Sequence, residues 1–189
     1  MIVLGISGSP RKDGNSDRLL DIALAEAEKT GAKIRKIVIN DLDISPCREE
    51  EYSKISDEGF SVIKDGMDQV FRAINESDRI ILASPIFFGS LSAQIKTMID
   101  RFQSVWISEH VFKKKVYSKR IKGAFICAGA ADRKDFFANA SSIVKHFFAT
   151  INAEYSDELF CPGLDGKGSV MNHPEFLEAA GKMGKRLAT

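Results

Sequence analysis

The sequence has few cysteines, no long apolar run and almost no excess of charge of either sign. Its three cysteines, Cys47, Cys127 and Cys161, are widely spaced and form no C-x-x-C pair. This argues against a disulfide framework and against a metal site built from neighbouring residues. No apolar stretch approaches the roughly 20 residues of a membrane span, and the first residues lack the charge and length of a signal peptide. We therefore expect a cytoplasmic protein without a membrane partner.

The formal net charge of +1 gives no reason to expect nucleic acid as a partner. Apolar residues make up 44% of the chain and charged residues 28%, which is typical of a globular protein. Because 189 residues can bury a substantial core and no linker interrupts them, we expect one domain over residues 1–189.

Apolar, β-branched runs alternate with segments of helical periodicity along the whole chain. The predicted strands are Ile2–Ile6, Lys33–Asn40, Arg79–Ser84, Ile121–Ala128 and Glu154–Phe160. The predicted helices carry apolar stripes over Leu20–Ala27, Met67–Ile74 (after a capping Asp65), Leu91–Trp106, Phe136–Ala149 and Pro174–Leu187. This alternation predicts an α/β fold, a doubly wound five-stranded parallel sheet with helices on both faces. Such sheets bind ligands beyond the carboxyl ends of their strands.

Three stretches do not fit the alternation: Cys47–Phe60, which is acidic, Ser108–Lys122, which is basic, and the glycine-rich Pro162–Val170. The basic stretch could attract the extra phosphate of NADPH or an acidic protein. A solvated surface segment is the favoured interpretation, because most charge runs are of that kind.

The loop after the first strand, Ser7–Ser16, combines glycines, hydroxyls and one arginine at the start of a helix. Backbone N–H groups and the helix dipole favour an anion there, and Arg11 adds charge-assisted hydrogen bonds. The spacing of Gly8 and Gly14 does not fit a Walker loop, and no G-x-G-x-x-G fingerprint is present. The loop therefore predicts a site for a terminal phosphate. The alternative is an ordinary turn in which Asn15 or Ser16 caps the helix.

The loop after the third strand, Ser84–Ser90, places Phe87 and Phe88 where the chain reverses direction. Aromatic side chains at such a position are unfavourable unless something flat and apolar covers them. A planar ligand is one interpretation, and packing on helices or on another subunit is the other.

Four motifs carry a resemblance to a known family. They are S-G-S-P-R-K-x-G-N-S at Ser7–Ser16, V-I-K-D-x-M at Val62–Met67, S-P-I-F-F-G-S-L-S-A-Q-I-K-x-x-I-D-R at Ser84–Arg101, and H-P-E at His173–Glu175. With them the sequence resembles the NADPH-dependent FMN reductase family of flavodoxin-like proteins, near the branch of the iron–sulfur flavoproteins.

The resemblance implies FMN as cofactor and NAD(P)H as co-substrate. It places the FMN phosphate on Ser9, Arg11, Asn15 and Ser16, and the isoalloxazine ring against Pro85, Ile86, Phe87, Phe88 and Gly89. The loop over Ala128–Ala130, with Gly129 and Ala130, would complete the pocket, and the Gly129 amide would hydrogen-bond the ring.

The sequence departs from the iron–sulfur flavoproteins at their cluster motif. Those proteins carry four closely spaced cysteines before V-I-K-D-x-M, whereas Cys47 stands alone here, with Glu50 three residues later. One thiolate cannot hold a cluster that needs four, so we expect no iron–sulfur cluster. The loop after the fourth strand also has alanines where relatives have glycines.

We expect an FMN-dependent NAD(P)H oxidoreductase that passes electrons to a small-molecule acceptor such as a flavin, a quinone, a nitro compound or an iron complex. No catalytic side chain is required, because the flavin carries the chemistry. The alternatives are a flavodoxin-type electron carrier without nicotinamide turnover and a nucleotide-binding regulatory module. We also expect a homodimer or homotetramer, in which Phe102 and Trp106 belong either to the core or to a subunit interface.

Overall fold

The computed structural model describes residues 1–48 and 55–189, and its centre is a parallel sheet. The strands in chain order are β1 (Ile2–Ser7), β2 (Lys33–Val38), β3 (Arg79–Phe87), β4 (Ser90–Leu91), β5 (Ile121–Ala128) and β6 (Ala153–Cys161). The five parallel strands lie in the order β2-β1-β3-β5-β6, and the two-residue β4 pairs antiparallel to β3. This order is that of flavodoxin-like doubly wound sheets, so the predicted fold class is confirmed.

Helices cover both faces of the sheet. They are α1 (Asn15–Lys29), α2 (Met67–Glu76), α3 (Ala93–Asp100), α4 (Gln103–His110), α5 (Lys134–Thr150) and α6 (Pro174–Leu187). Alternate residues of the central strands point to opposite faces. Val3 and Ile81 pack with α1 and α6, whereas Leu4 and Ile80 pack with the other four helices. Because the central strands are buried on both sides, they are nearly continuous apolar runs, as the sequence indicated.

The prediction of one helix over Leu91–Trp106 is wrong, since the chain forms two helices that break at Arg101–Phe102. There the backbone hydrogen bonds span three residues and not the four of an α-helix, since Arg101 N–H donates to Met98 O and Phe102 N–H donates to Ile99 O. The Arg101 side chain is fully buried and turns to the segment before α2, where it donates to Ser45 O and to Asp65. Phe102 is part of the core.

Other boundaries agree with the sequence to within a few residues. The prediction that Asp65 caps α2 is off by one residue, because Gly66 is the N-cap, although Asp65 Oδ1 does accept the Met67 N–H at 2.9 Å. The acidic stretch Cys47–Phe60 lies partly outside the described residues, and so does Glu50. In the basic stretch, Lys113–Lys115 are exposed. Among the helices described, none is long and apolar enough to cross a membrane.

Candidate functional site

The loops that follow β1, β3, β5 and β6 meet at one edge of the sheet and enclose a cavity of about 230 Å³. The strand register brings them together: Ser7 pairs with Ala83, and Pro85 pairs with Ala128. The predicted site residues that line the cavity are Ser9, Arg11, Asn15, Ser16, Pro85, Ile86, Phe87, Gly129 and Ala130. The structure thus places nine residues from three separate parts of the chain around one space: the loop after β1 with the start of α1, the end of β3, and the loop after β5. Whether they contact FMN stays a prediction.

The loop after β1 is held in a compact shape by its own backbone and hydroxyl groups. The Ser9 hydroxyl donates to Arg11 O at 2.8 Å, and the Arg11 N–H donates back to Ser9 Oγ at 3.2 Å. Gly14 N–H then bonds to Arg11 O at 3.0 Å. A Cβ atom at Gly14 would lie 2.5 Å from Ser9 Oγ, so this close turn requires glycine. The turn leaves the Arg11 side chain exposed beside the cavity.

The first turn of α1 offers hydrogen-bond donors to the cavity. Gly14 is the N-cap and has no side chain, so the alternative in which Asn15 or Ser16 is an ordinary cap is wrong. The first N–H groups of a helix have no partner within the helix. Ser16 is 1% exposed, and its buried hydroxyl has no hydrogen-bond partner among the described residues. A buried hydroxyl without a partner is unfavourable, and a phosphate oxygen in the cavity would supply one.

Asn15 has a role that the sequence did not indicate. Its side-chain amide donates to Gly166 O at 2.9 Å and to Ser169 Oγ at 3.2 Å, and its oxygen accepts the Val170 N–H at 3.1 Å. These bonds hold the β6–α6 loop against the start of α1. The Asn15 side chain therefore positions a neighbouring loop.

The predicted loop Ser84–Ser90 is mostly strand. β3 continues to Phe87 and turns back through Phe88 and Gly89 into β4. Both turn residues have positive φ, 48° and 74°, as in a type I′ hairpin. The helix period of the following segment gave no sign of this short hairpin.

Phe88 and Gly89 do not line the cavity, unlike the three residues before them. The Phe88 side chain is fully exposed at the tip of the hairpin, and Phe87 is 41% exposed at the cavity mouth. Gly89 faces α5, where Asn139 Nδ2 donates to its carbonyl at 2.9 Å. A Cβ atom there would approach the Phe136 ring to 3.0 Å. The hairpin is thus fixed against α5.

The loop after β5 contributes Ala128, Gly129 and Ala130 to the cavity wall. The expectation that the Gly129 amide faces a ring is wrong in this structure, because its N–H donates to Cys161 O at 3.0 Å. Its carbonyl accepts the Leu164 N–H at 3.0 Å. This pair of bonds ties the loop after β5 to the loop after β6.

The loop after β6 also belongs to the site, although none of its residues was among the predicted site residues. Leu164, Asp165 and Lys167 line the cavity, and Asp165 and Lys167 are exposed charged residues. The signal was available, since the glycine-rich stretch Pro162–Val170 follows a parallel strand and so begins at the ligand-binding edge.

Among the described residues, the three cysteines belong to no cluster that could bind a metal. Within residues 1–48 and 55–189, no group of three or more histidine, cysteine, aspartate or glutamate side chains could hold a metal ion. Burial raises the pKa of the Cys127 thiol, and burial raises that of Cys161 to about 12. Both thiols therefore stay protonated at neutral pH, and Cys47 is half-buried. The absence of an iron–sulfur cluster stays a prediction.

Comparisons with known proteins found one matching family model and several similar proteins. A sequence model described as NADPH-dependent FMN reductase matches residues 1–152. An iron-sulfur flavoprotein of Archaeoglobus fulgidus is 42% identical over 101 residues, which are 53% of this chain and 45% of that protein. YwqN of Bacillus subtilis, whose name describes an NAD(P)H-dependent FMN-containing oxidoreductase, is 22% identical over 187 residues, 98% of each chain.

A solved flavone reductase structure superposes with a TM-score of 0.74 and 21% identity, covering 100% of this chain and 62% of that one. At this identity the likeness concerns the fold alone. The matched segments span 45%, 60% and 51% of the lengths of three similar iron–sulfur flavoproteins, from Archaeoglobus fulgidus, Methanosarcina thermophila and Methanocaldococcus jannaschii.

Proposed function

The chain belongs to the NADPH-dependent FMN reductase family, and on that premise we propose that it binds FMN in the cavity and transfers electrons from NADH or NADPH to a second, small-molecule acceptor. The observation that carries the proposal is the Ser16 hydroxyl in the cavity wall at the start of α1, which is buried and has no hydrogen-bond partner in the part of the chain that the structure describes.

The phosphate end of FMN fits the loop after β1. A dianion there would meet the positive end of the α1 dipole, the N–H groups of the first helical turn and the Ser16 hydroxyl. Arg11 would add charge-assisted hydrogen bonds, which are about twice as strong as neutral ones. The Ser9 hydroxyl already donates its one proton to Arg11 O. It must therefore rotate away from that carbonyl to donate to the phosphate.

The ring end of FMN fits the apolar part of the cavity wall. Pro85, Ile86 and Phe87 lie on one side, and Ala128–Ala130 lie on another. The cavity volume of about 230 Å³ is below the roughly 300 Å³ at which pockets for drug-sized ligands begin. A bound FMN would therefore fill it and extend past its mouth, where Phe87 is partly exposed.

The bound flavin would supply hydride and electron transfer, which no side chain of the chain provides. The ionisable side chains that line the cavity are Arg11, Asp165 and Lys167, and all three are exposed. Such groups suit binding and orientation of charged ligands better than proton transfer from a tuned, buried acid. The protein would bind the phosphate, shape the ring pocket and leave one side open for the nicotinamide and the acceptor in turn.

The acceptor is proposed as a class: a free flavin, a quinone, a nitro compound or an iron complex. The test is to load the purified protein with FMN without oxygen and to mix it with NADH or NADPH. If the flavin absorbance is lost about as fast as the enzyme turns over, the result supports the reductase. A flavin that only a protein donor reduces would indicate an electron carrier, and a protein that takes up no FMN would refute both.

The phosphate end is tested by Arg11→Ala, with Lys12→Ala as the control. Both changes remove one exposed cation from the same loop, but only Arg11 lines the cavity. A charged hydrogen bond contributes about 1.5–3 kcal/mol, so we expect Arg11→Ala to raise the FMN Kd about 10- to 150-fold. Lys12→Ala should change it much less. Equal effects of the two changes would show that the phosphate lies elsewhere.

A further inference from the structure

A buried carboxylate lies beneath the loop that we assign to the FMN phosphate. Asp17 is the third residue of α1 and is 6% exposed. Its Oδ1 accepts the Ser7 hydroxyl at 2.7 Å, and its Oδ2 accepts the Asp13 N–H at 3.2 Å. Ser7 ends β1, and Asp13 directly precedes the N-cap Gly14. One carboxylate therefore holds both ends of the loop.

The bond to Asp13 fixes a backbone conformation that is otherwise unfavourable. Asp13 has a φ of 57°, in the left-handed region that residues with a Cβ seldom adopt. Its N–H donates to Asp17 and its carbonyl accepts Arg18 Nε at 3.3 Å, so both of its peptide groups are held from the first turns of α1. The direction in which the chain enters α1 depends on this residue. Asp17 thus determines where the first N–H groups of the helix point.

The charge of Asp17 opposes phosphate binding. Burial alone would raise the pKa of Asp17, but hydrogen bonds from Lys36 and Ser7 outweigh it and hold the pKa below its ordinary value. The group is therefore an anion at neutral pH. Lys36 Nζ lies 2.8 Å from Asp17 Oδ1 and 2.6 Å from Asp21 Oδ1, so one cation faces two carboxylates. These surroundings favour the anion in the free protein, but its repulsion of a bound phosphate would by itself favour a neutral residue at this position.

We propose that Asp17 is a positioning residue, which holds the loop from Ser7 to Gly14 in the shape that binds the phosphate of the flavin. The inference rests on the proposed function, because it concerns the same phosphate. It adds a role for a side chain that does not line the cavity and that cannot contact the phosphate favourably.

The two effects of Asp17 predict opposite results for Asp17→Asn. If charge alone mattered, removing an anion near the phosphate would tighten FMN binding. If positioning dominates, FMN binding weakens. The variant loses the Lys36 ion pair, and because asparagine has only one acceptor oxygen, it can no longer accept hydrogen bonds from both Ser7 and Asp13. We expect the FMN Kd to rise at least about tenfold, the loss of one hydrogen bond to a charged group. The Kd for riboflavin, which lacks the phosphate, should stay unchanged.

Asp21→Asn is the matched control, since it removes the other carboxylate that faces Lys36 without touching the loop. It should leave the Kd of FMN and of riboflavin unchanged. Ser7→Ala removes one of the two loop contacts and should raise the FMN Kd by a smaller factor, and it decides the matter if Asp17→Asn does not fold by circular dichroism.

Flavin titrations of the purified apoprotein separate the outcomes. Unchanged or tighter FMN binding by Asp17→Asn overturns the proposal, and so does an equal loss of riboflavin binding, which would indicate a general structural role. A wild-type protein that binds no FMN overturns the proposed function itself, and that result is visible before any variant is compared.

Discussion

Replacement of Ser16 by alanine should make the apoprotein more stable and the FMN complex weaker. Ser16 lies in the wall of the cavity and is 1% exposed, and its buried hydroxyl has no hydrogen-bond partner among the described residues. A buried unsatisfied group costs about 1–3 kcal/mol, and alanine is also the better helix former. We therefore expect the apoprotein to gain about 1 kcal/mol, which for a chain of this size raises Tm by about 2–4 °C.

The same change removes a donor from the phosphate. A hydrogen bond to a charged group contributes about 1.5–3 kcal/mol, so the FMN Kd should rise about 10- to 150-fold. The stabilisation that a fixed FMN concentration gives falls by about 1.4 kcal/mol for each tenfold rise in Kd. The order of the two melting temperatures should consequently reverse when FMN is added: the variant melts higher without FMN, and the wild type melts higher with it.

Thermal melts with and without FMN, together with a flavin titration, measure both effects. Ser104→Ala is the control, because Ser104 is also a buried helical serine but donates to Arg101 O at 3.3 Å, outside the cavity. It should lower Tm slightly and leave the FMN Kd unchanged. A Ser16→Ala apoprotein that melts lower than the wild type, with an unaltered Kd, would refute the reasoning.

Two further predictions concern the scaffold. Phe88→Asn should raise Tm by about 2–4 °C, because type I′ turns favour asparagine before glycine and Phe88 has a φ of 48° with a fully exposed ring. A lower Tm would argue against the turn type. A higher FMN Kd would support a contact between Phe88 and the flavin ring. The free energy of unfolding should fall as the pH is lowered from 5 toward 2. Burial acts to raise the pKa of Asp65, but the hydrogen bonds from Arg101 and from the Met67 and Ser45 N–H groups, with the Arg101 charge, together outweigh it. They hold the pKa below the unfolded value of about 3.9, so stability present above that value is lost as the carboxylate protonates. Denaturant titrations across this range should show a smaller pH slope for Asp65→Asn, and an equal slope would exclude Asp65 as a source.

The sequence predicted the sheet well, because its strands are buried on both faces and such strands are continuous apolar runs. Ile121–Ala128 was predicted to the residue, and the loop over Ser7–Ser16 was placed at the correct edge. The hairpin at Phe88–Gly89 was missed because its turn lacks the usual Asn-Gly pair. The break at Arg101 was missed because the apolar stripe continues across it at helical spacing.

The least predictable parts of the site are contacts between residues far apart in the chain. The amide of Asn15 fits a phosphate site and fits a loop contact equally well by composition. The structure decides between them, because residues 164–170, some 150 residues later, bring two carbonyls, a hydroxyl and an N–H to the Asn15 side chain. No local pattern carries that information, since it depends on the strand order.

The side chains of the first three residues of α1 make contacts with three different parts of the site, because successive helical side chains point in directions about 100° apart. Asn15 points to the β6–α6 loop, Ser16 lines the cavity, and Asp17 turns back to the loop after β1. If each carries its task, a change at Asn15 should loosen one wall, a change at Ser16 should remove one donor, and a change at Asp17 should misplace several donors at once. A single helical turn would then couple three loops to one bound phosphate, which explains why a site assembled from four strands can form around so small a cavity.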